Sequence, residues 1–432
     1  FAANKGFDVM CGNPPWDKLQ MEEEKWFAGK DEDIVKAANQ AERKEKIAKL
    51  QTSAPKLYEE FTTACNALTS QSNFVKNSGR FPLTAVGKLE LSSLFAELCL
   101  SFSKEAWGLV LPTGIAVNDS NKYFFSKLID ENRLMSIYSF ENEEKLFDIH
   151  HSFKFCLLTC CGMKDTPHEV KGGFYLRRVD HLLDPRRIYT LKTSDFARLN
   201  PNTKTCPVFR TSRDASLTAK IYRNSTILLN EENGNNPWDV KFGSMFNMAT
   251  DSNLFRTHAQ LAEAGAILKG NVFTTIDGNK YVPLYEGKMI WHYNHHYGTW
   301  PTEGGRPNSI NMPSLDELSN PNSYLIPWYW VPLTEVNERL KKRDNEGNLV
   351  WEWEHKWLIG FRKLTNATTE RTFICTPIPN AKGLGDSVTL LYAERGTVPV
   401  ASLCAMLTSL VYDYTVRQKV GGTNMNIFLV KQ

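Results

Sequence analysis

The stretch "GFDVMCGNPPWDKL", Gly6 to Leu19, constrains this chain more than any other. Phe7, Val9, Met10 and Cys11 form a short apolar run of the kind a buried parallel strand shows. Gly12 breaks the run. Asn13 brings a side-chain carbonyl acceptor and an amide donor. Pro14 and Pro15 fix φ, lack a backbone N–H and hold Asn13 extended, so the turn is stiff. Trp16 sets a flat π surface beside these groups. A rigid acceptor pair next to an aromatic plate suits a planar ligand that carries an amine. The Asn13 side chain and the Pro14 carbonyl can accept both hydrogens of an exocyclic NH₂, which leaves the nitrogen lone pair directed at an electrophile. The plainer alternative is a strand-to-turn junction with an incidental tryptophan.

At 432 residues the chain is long enough for two or three domains with sizeable cores. It is 42% hydrophobic and 23% charged, which excludes disorder as a global class. A net charge of +3 does not call for a polyanion, yet leaves room for a local basic face. The 9 cysteines are an odd count without a C-x-x-C pair, and Cys160 and Cys161 sit in an apolar run. This usage reads as reduced, buried thiols of a cytosolic protein rather than a disulfide framework or zinc site. No signal peptide stands at the N-terminus, and no apolar run reaches the ~18 residues of a membrane span.

Apolar runs at 7–11, 107–114, 134–140 and 153–162 read as strands. A charged stretch over about 17–70 reads as one or two inserted, exposed helices, and 119–132 as an amphipathic helix with Asp119 or Ser120 as N-cap. The order strand, helical insertion, strand, helix, strand, loop, strand is half of an open α/β sheet ending in an antiparallel pair. Ligands in such sheets bind beyond the carboxyl ends of the strands. Asn13, Pro112 and Thr113 fall at those ends. Beyond about residue 195 the texture turns to short mixed strands rich in Asn, Gly, Pro and Trp. Residues 398–422 then read as a C-terminal helix, followed by a strand "NIFLV".

With these segments in view, "NPPW" after an apolar strand resembles the catalytic motif of the gamma-type N6-adenine DNA methyltransferases. "GLVLPTGIAVNDSNKYFFSKLI", "FENEEKLF" and "SFKFCLLT" are similar to later strands of the long methylases of type IIG restriction-modification and related phage-defence (BREX- or DISARM-like) systems. "LNPNTKTCPVFRTSRDASLTAKIYR", "LYEGKMI", "PWYWVP" and "YDYTVRQKVGGTNMNIFLVKQ" resemble their C-terminal parts, so the resemblance covers nearly the whole chain.

The resemblance implies an α/β fold: a partial Rossmann-like class I methyltransferase sheet over 1–195, then an α+β target-recognition domain with a C-terminal helix over 196–432. It implies methyl transfer from S-adenosylmethionine to an adenine flipped out of double-stranded DNA, since a base inside the duplex is out of reach. Asn13 and the Pro14 carbonyl would hold the amine, with Pro15 stiffening the turn. Trp16 would stack on the base, and Phe147 matches the second aromatic of the family. Asn13 and Pro112 would lie against the cofactor. No general base is required; orientation and polarisation of the amine would carry catalysis.

One departure stands out. The family's Gly-containing cofactor motif precedes "NPPW", whereas only twelve residues precede Asn13 here and none forms a strand–Gly-turn–helix unit. The expectation is a C-terminal portion of a larger bacterial or archaeal cytoplasmic protein, inactive alone, with an open apolar edge at residues 7–11. Its partners would be the missing N-terminal part and other restriction or defence subunits, with any nuclease lying in absent sequence.

Arg210, Arg213, Lys220, Arg223, Lys288, Arg417 and Lys419 are candidate phosphate contacts, each against the alternative of an ordinary surface residue. His292, His295 and His296 lack flanking acid or cysteine ligands and read as structural rather than metal-binding. Trp328, Trp330, Trp351, Trp353 and Trp357 read as core of the second domain. Two other readings stay open: a DNA-recognition or subunit-contact module without catalysis, and an amino-methyltransferase for protein glutamine or RNA. The large second domain argues against the last.

Overall fold

The computed structural model describes residues 6–37, 40–162 and 169–432. The chain divides into two compact units, Phe1–Thr226 with Gln432, and Ile227–Lys431. Residues 196–226, expected in the second domain, therefore pack with the first, because the helix they contain docks beside the sheet's last strand.

The first unit is a mixed six-stranded sheet with helices. Its elements are β1 (Phe7–Gly12), α1 (Glu23–Phe27), α2 (Glu32–Val35), α3 (Gln40–Ser53), α4 (Pro55–Asn77), α5 (Leu91–Phe102), β2 (Ser103–Pro112), α6 (Gly114–Val117), α7 (Lys122–Asp130), β3 (Leu134–Glu141), β4 (Lys154–Cys161), β5 (Glu169–Leu176), β6 (Tyr189–Lys192), α8 (Thr193–Leu199) and α9 (Ser212–Asn224). The strand order is β1-β2-β4-β3-β5-β6. β1 runs parallel to β2, and β3 parallel to β5, while β4 is antiparallel to both of its neighbours. The carboxyl ends of β1, β2, β3 and β5 thus share one end of the sheet with the start of β4.

The two faces of the sheet differ. Trp107, Leu109 and Leu111 of β2, Ile137 of β3 and Cys156, Leu158 and Cys160 of β4 are buried. Period-two alternation places them on one face, where Trp107 meets Phe124 of α7 at 6.4 Å. Val110, Tyr138 and Leu157 alternate with them and are only half-buried. β1 is the edge strand of the described sheet, in keeping with the open apolar edge expected at residues 7–11, although its apolar run alone reads as buried. Phe7 is 44% and Val9 63% exposed, because no described strand pairs with its outer side.

The inserted segment forms four helices rather than one or two exposed ones. Phe27, Ile34, Ile47, Leu50 and Phe61 give them a small core of their own, and Pro55 opens α4 at a position that needs no N–H. The turn before α5 is held by Glu97, a buried acid whose carboxylate accepts from Leu83 N at 3.1 Å, Thr84 N at 2.9 Å and Thr84 Oγ1 at 2.6 Å.

The second unit holds two main sheets. One is four-stranded and antiparallel, from Trp357–Arg362, Cys375–Pro379, Val388–Ala393 and Val240–Gly243. The other is built around Lys280–Tyr285, paired with Trp330–Pro332 and Val272–Thr274. Trp330 and Trp353 are buried, and Trp328, Trp351 and Trp357 pack half-buried against the main core. Trp351 and Trp353 both meet Tyr392, at 5.2 and 5.1 Å. The expected C-terminal helix is two helices, Thr397–Leu407 and Leu410–Arg417. The break falls where Ser409 caps the second through Tyr412 N at 3.2 Å. "NIFLV" is helical rather than extended. Leu429 and Val430 N–H groups bond back to Asn426 O, which satisfies them locally while their side chains enter the core.

Glu97→Ala leaves buried donors of the 83–84 turn unsatisfied and should destabilise the first unit by about 2–3 kcal/mol. Thermal melting followed by circular dichroism checks this; an unchanged first transition would contradict the role given to Glu97.

Candidate active site

The register of the strands decides what meets at the carboxyl end of the sheet. Gly12 pairs with Leu109, Pro112 with Phe155, Phe140 with Phe155, and Glu141 with Lys154. The segment Asn13–Trp16 therefore leaves β1 beside the end of β2, and the loop from Asn142 to Phe153 springs from the ends of β3 and β4 at the same side. Asn13 and Pro15 are exposed, while Pro14 and Trp16 are half-buried. Among the described residues the Asn13 carboxamide makes no hydrogen bond, so its acceptor and donors are free to meet a ligand.

Trp16 is fixed on both sides. Its Nε1 donates to Val110 O at 3.3 Å. Its ring lies over the half-open sheet face with Phe155 at 6.4 Å and 26°, and meets Phe147 edge-on at 6.0 Å and 66°. Phe147 in turn stands at 4.7 Å and 89° to Phe155, which stacks on Phe140 at 5.3 Å and 8°. Each such pair adds about 0.5–1.5 kcal/mol beyond burial. The two aromatics singled out in the sequence are thus brought together, with Phe140, Phe155 and Leu176 beneath them.

Pro112 is half-buried at the end of β2. Thr113 is buried and makes structural bonds: its N–H donates to Lys154 O at 3.1 Å and its hydroxyl shares a 2.8 Å bond with Ser139. Sequence reasoning missed Asn142, which is fully buried. Its Nδ2 donates to Phe147 O at 2.9 Å and Ile149 O at 3.0 Å, and its Oδ1 accepts from Phe147 N at 3.0 Å. The signal was present: an asparagine directly after an apolar strand, opening an otherwise charged loop, suits local side-chain-to-backbone bonding.

The residues fit a methyl acceptor better than a cofactor. Asn13, Pro14, Trp16 and Phe147 suit a planar amine. For S-adenosylmethionine, Gly12 offers no tight cradle, since a Cβ there would meet only Leu109 Cδ2 at 3.9 Å. Glu141, the acid at this sheet end, is already paired with Lys154 at 3.4 Å and Arg177 at 3.1 Å. Among the described residues no group at this sheet end is matched to the cofactor's ribose.

The cation candidates separate. Arg213, Lys220 and Arg223 are exposed on α9, two turns of which set Arg213 and Lys220 on one face. None of the three is in an ion pair among the described residues. Arg210 lies over the Tyr175 ring at 4.1 Å, and Lys154 approaches the same ring at 5.1 Å. Lys288 is exposed and donates to Asn308 O at 2.9 Å. Two expectations fail. Lys419 is 3% exposed, and burial holds its ammonium well below the usual range, so it presents no charge to a phosphate. Arg417 is engaged internally, donating to Ala367 O, Glu370 O and Asp413 Oδ2 at 3.2, 2.9 and 3.0 Å.

His292, His295 and His296 lie in an irregular turn, so the i,i+4 spacing of His292 and His296 does not share a helix face. Trp291 stacks on Tyr297 at 5.0 Å and Arg362 covers Trp291 at 4.8 Å, which closes the turn. His292 keeps both ring nitrogens buried without a hydrogen-bond partner among the described residues.

No protein-family model matches the chain, and no curated protein does. Among solved structures, the type IIL restriction-modification enzyme MmeI in complex with DNA aligns at 8% identity over 98% of this chain and 45% of its own, with a TM-score of 0.41. The ATP-dependent type ISP restriction-modification enzyme LlaBIII bound to DNA gives 8%, 98%, 29% and 0.41 for the same quantities. A type I restriction-modification methyltransferase subunit from Streptococcus thermophilus gives 10%, 48%, 39% and 0.27. The chain spans less than half the length of each of these proteins, and likeness of this extent says nothing of its activity.

Burial, with Arg371 and Arg362 nearby and Asp413 opposing, lowers the His292 pKa from 6.5 to about 4. Its folded pKa lies below its unfolded value, so the unfolded chain takes the proton first as pH falls. The contribution is whole above pH 6.5 and is lost between 6.5 and about 4. His292→Phe should flatten that part of the second unit's stability curve, measured by denaturant midpoints against pH. Parallel curves for the two proteins would refute the assignment.

Proposed function

We propose that this chain carries the base-accepting half of a DNA adenine-N6 methyltransferase of restriction-modification type. The observation that carries the reading is the meeting of Trp16 and Phe147 beside the unengaged Asn13 carboxamide at the carboxyl end of the sheet. A flipped adenine needs an aromatic surface to replace the stacking it loses and acceptors for its exocyclic amine. Trp16 and Phe147 supply the surface. The Asn13 Oδ1 and the Pro14 carbonyl accept the two N–H bonds and turn the lone pair outward, while Pro14 and Pro15 keep that geometry from relaxing.

S-adenosylmethionine is the methyl donor this reading requires, and when bound it supplies an electrophilic methyl group. The chain's own part is to hold the amine in line and exclude alternative orientations. Duplex DNA is the substrate, and the exposed cations Arg213, Lys220 and Arg223 of α9 are suited to its phosphates, with Arg210 and, in the second unit, Lys288 as further phosphate-binding candidates. Restriction or phage-defence subunits are the partners that go with such a function, and the second unit is assigned the reading of the target sequence. Pro112 is assigned to the cofactor side of the site.

A second reading has its own support. The three cations of α9, outside any ion pair among the described residues and with no cofactor cradle there, suit a module that binds DNA without modifying it.

Labelled S-adenosylmethionine and mixed-sequence duplex DNA, given to the chain together with a cofactor-binding methyltransferase half, separate the two. Transfer that falls about a hundredfold or more in Asn13→Ala supports the enzyme. Salt-sensitive DNA binding with no transfer supports the binding module. In either case, replacing Arg213, Lys220 and Arg223 together by Ala should flatten the dependence of log affinity on log salt, by ~0.9 for each phosphate that is no longer neutralised. A slope that does not move would remove α9 from the interface.

A further inference from the structure

The loop from Asn142 to Phe153 ought to be loosely held. It is charged, with Glu143, Glu144, Lys145 and Asp148 all exposed, and Leu146 projects into solvent. Phe147 nevertheless occupies a defined place in the aromatic cluster. The cause is one side chain. All three hydrogen bonds of the Asn142 carboxamide go to the segment that carries Phe147: both main-chain groups of Phe147 and the carbonyl of Ile149. Lys145, in the left-handed region at φ 50°, turns the chain back toward Asn142, and its N–H donates to Asn142 O at 3.1 Å. Asn142 N donates to Phe153 O at 3.2 Å and closes the base of the loop.

Burying a carboxamide is costly unless its donors and acceptor are all met. An apolar residue would fill the same space without that cost, but would leave the loop free to shift. The clamp grips the backbone of Phe147 and leaves its ring torsions unbonded. The ring's origin is fixed while the ring can still turn toward an incoming plane.

Resting on the methyltransferase reading above, we infer that Asn142 is a positioning residue for base capture: it holds Phe147 where, with Trp16, it can bracket a planar base extruded from the duplex. Asn142 touches no substrate and acts through Phe147. Displacing a positioned group by an ångström can cost on the order of a hundredfold in a reaction that depends on alignment. The isosteric change Asn142→Asp is the sharpest probe. It keeps an acceptor for Phe147 N but turns both donated bonds into oxygen–oxygen repulsion at Phe147 O and Ile149 O.

The test uses the whole chain and a mismatched DNA duplex carrying 2-aminopurine at the mismatch, where extrusion is cheap. The readout is base fluorescence on binding, which needs no cofactor. The wild-type chain is expected to change it several-fold. Asn142→Asp, Asn142→Leu and Phe147→Ala should each cut the change several-fold while leaving a measurable remainder, with overall DNA affinity and its salt dependence retained. The double variant Asn142→Asp/Phe147→Ala should be no worse than Phe147→Ala alone. Amide exchange checks the cause: the Phe147 amide should lose protection in Asn142→Leu while the β2–β4 ladder keeps its own.

A normal fluorescence change in Asn142→Asp, or an effect that adds to that of Phe147→Ala, overturns the inference and leaves the methyltransferase reading standing. Loss of ladder protection in both Asn142 variants would make Asn142 a residue of fold stability and also overturns it. No fluorescence change with the wild-type chain overturns base capture altogether, and the inference with it.

Discussion

The antiparallel strand β4 is the constraint on which the candidate site depends. It is hydrogen-bonded along its length to β2 on one side and β3 on the other. The same register that pairs Phe155 with Pro112 pairs it with Phe140, so three strand ends are locked level. A slip of β4 by one residue would carry Phe155 to the opposite face, away from Trp16 and Phe140. The indole N–H to Val110 O then ties the segment after β1 to that level. In this way a motif near the start of the sequence and a loop far along it come to share one aromatic cluster.

The sheet is supported asymmetrically, and this suits a site at its end. Trp107, Leu111 and Leu158 bury one face under helices, with Phe124 of α7 against Trp107. The other face keeps Val110, Tyr138 and Leu157 half-open and carries the Trp16–Phe147–Phe155 group. At the outer side of β1, Val9 is exposed where no described strand pairs, the arrangement that favours addition of another strand.

Much of the first unit is legible from apolar runs, because strands buried on at least one face announce themselves by composition. β2, β3 and β4 fall within a few residues of where hydrophobicity puts them, and the antiparallel pair follows from the short connection between the last two. What failed has physical causes. The run at 7–11 reads as a buried strand from its own residues, whereas its exposure depends on what lies beside it, as the expected open edge reflects. The four-helix insertion looks like a solvated face because its small core draws on aromatics scattered among charges, Phe27 and Phe61 among them. "NIFLV" has strand composition but no strand beside it to pair with, so it takes local helical bonds. Lys419 and Arg417 read as surface cations because a sequence does not reveal that Lys419 is buried and that Arg417 is turned inward onto carbonyls and a buried aspartate.

Trp16 and Phe147 are legible as types and not as a pair. Their meeting depends on Asn142, whose importance is invisible in composition because its bonds all go to main chain. That division of labour has a consequence for the site. The groups suited to touch a base, Asn13 and the two rings, are exposed or half-buried, while the groups that fix them, Val110 O, Phe155 and Asn142, are held in the sheet or fully buried. Exposed polar groups held by buried supports lose little entropy on meeting a ligand, since the ordering is already done by the fold. A loop that merely happened to carry a phenylalanine would have no reason to bury an asparagine under it, with each of its polar atoms committed to that residue and to Ile149 two positions on.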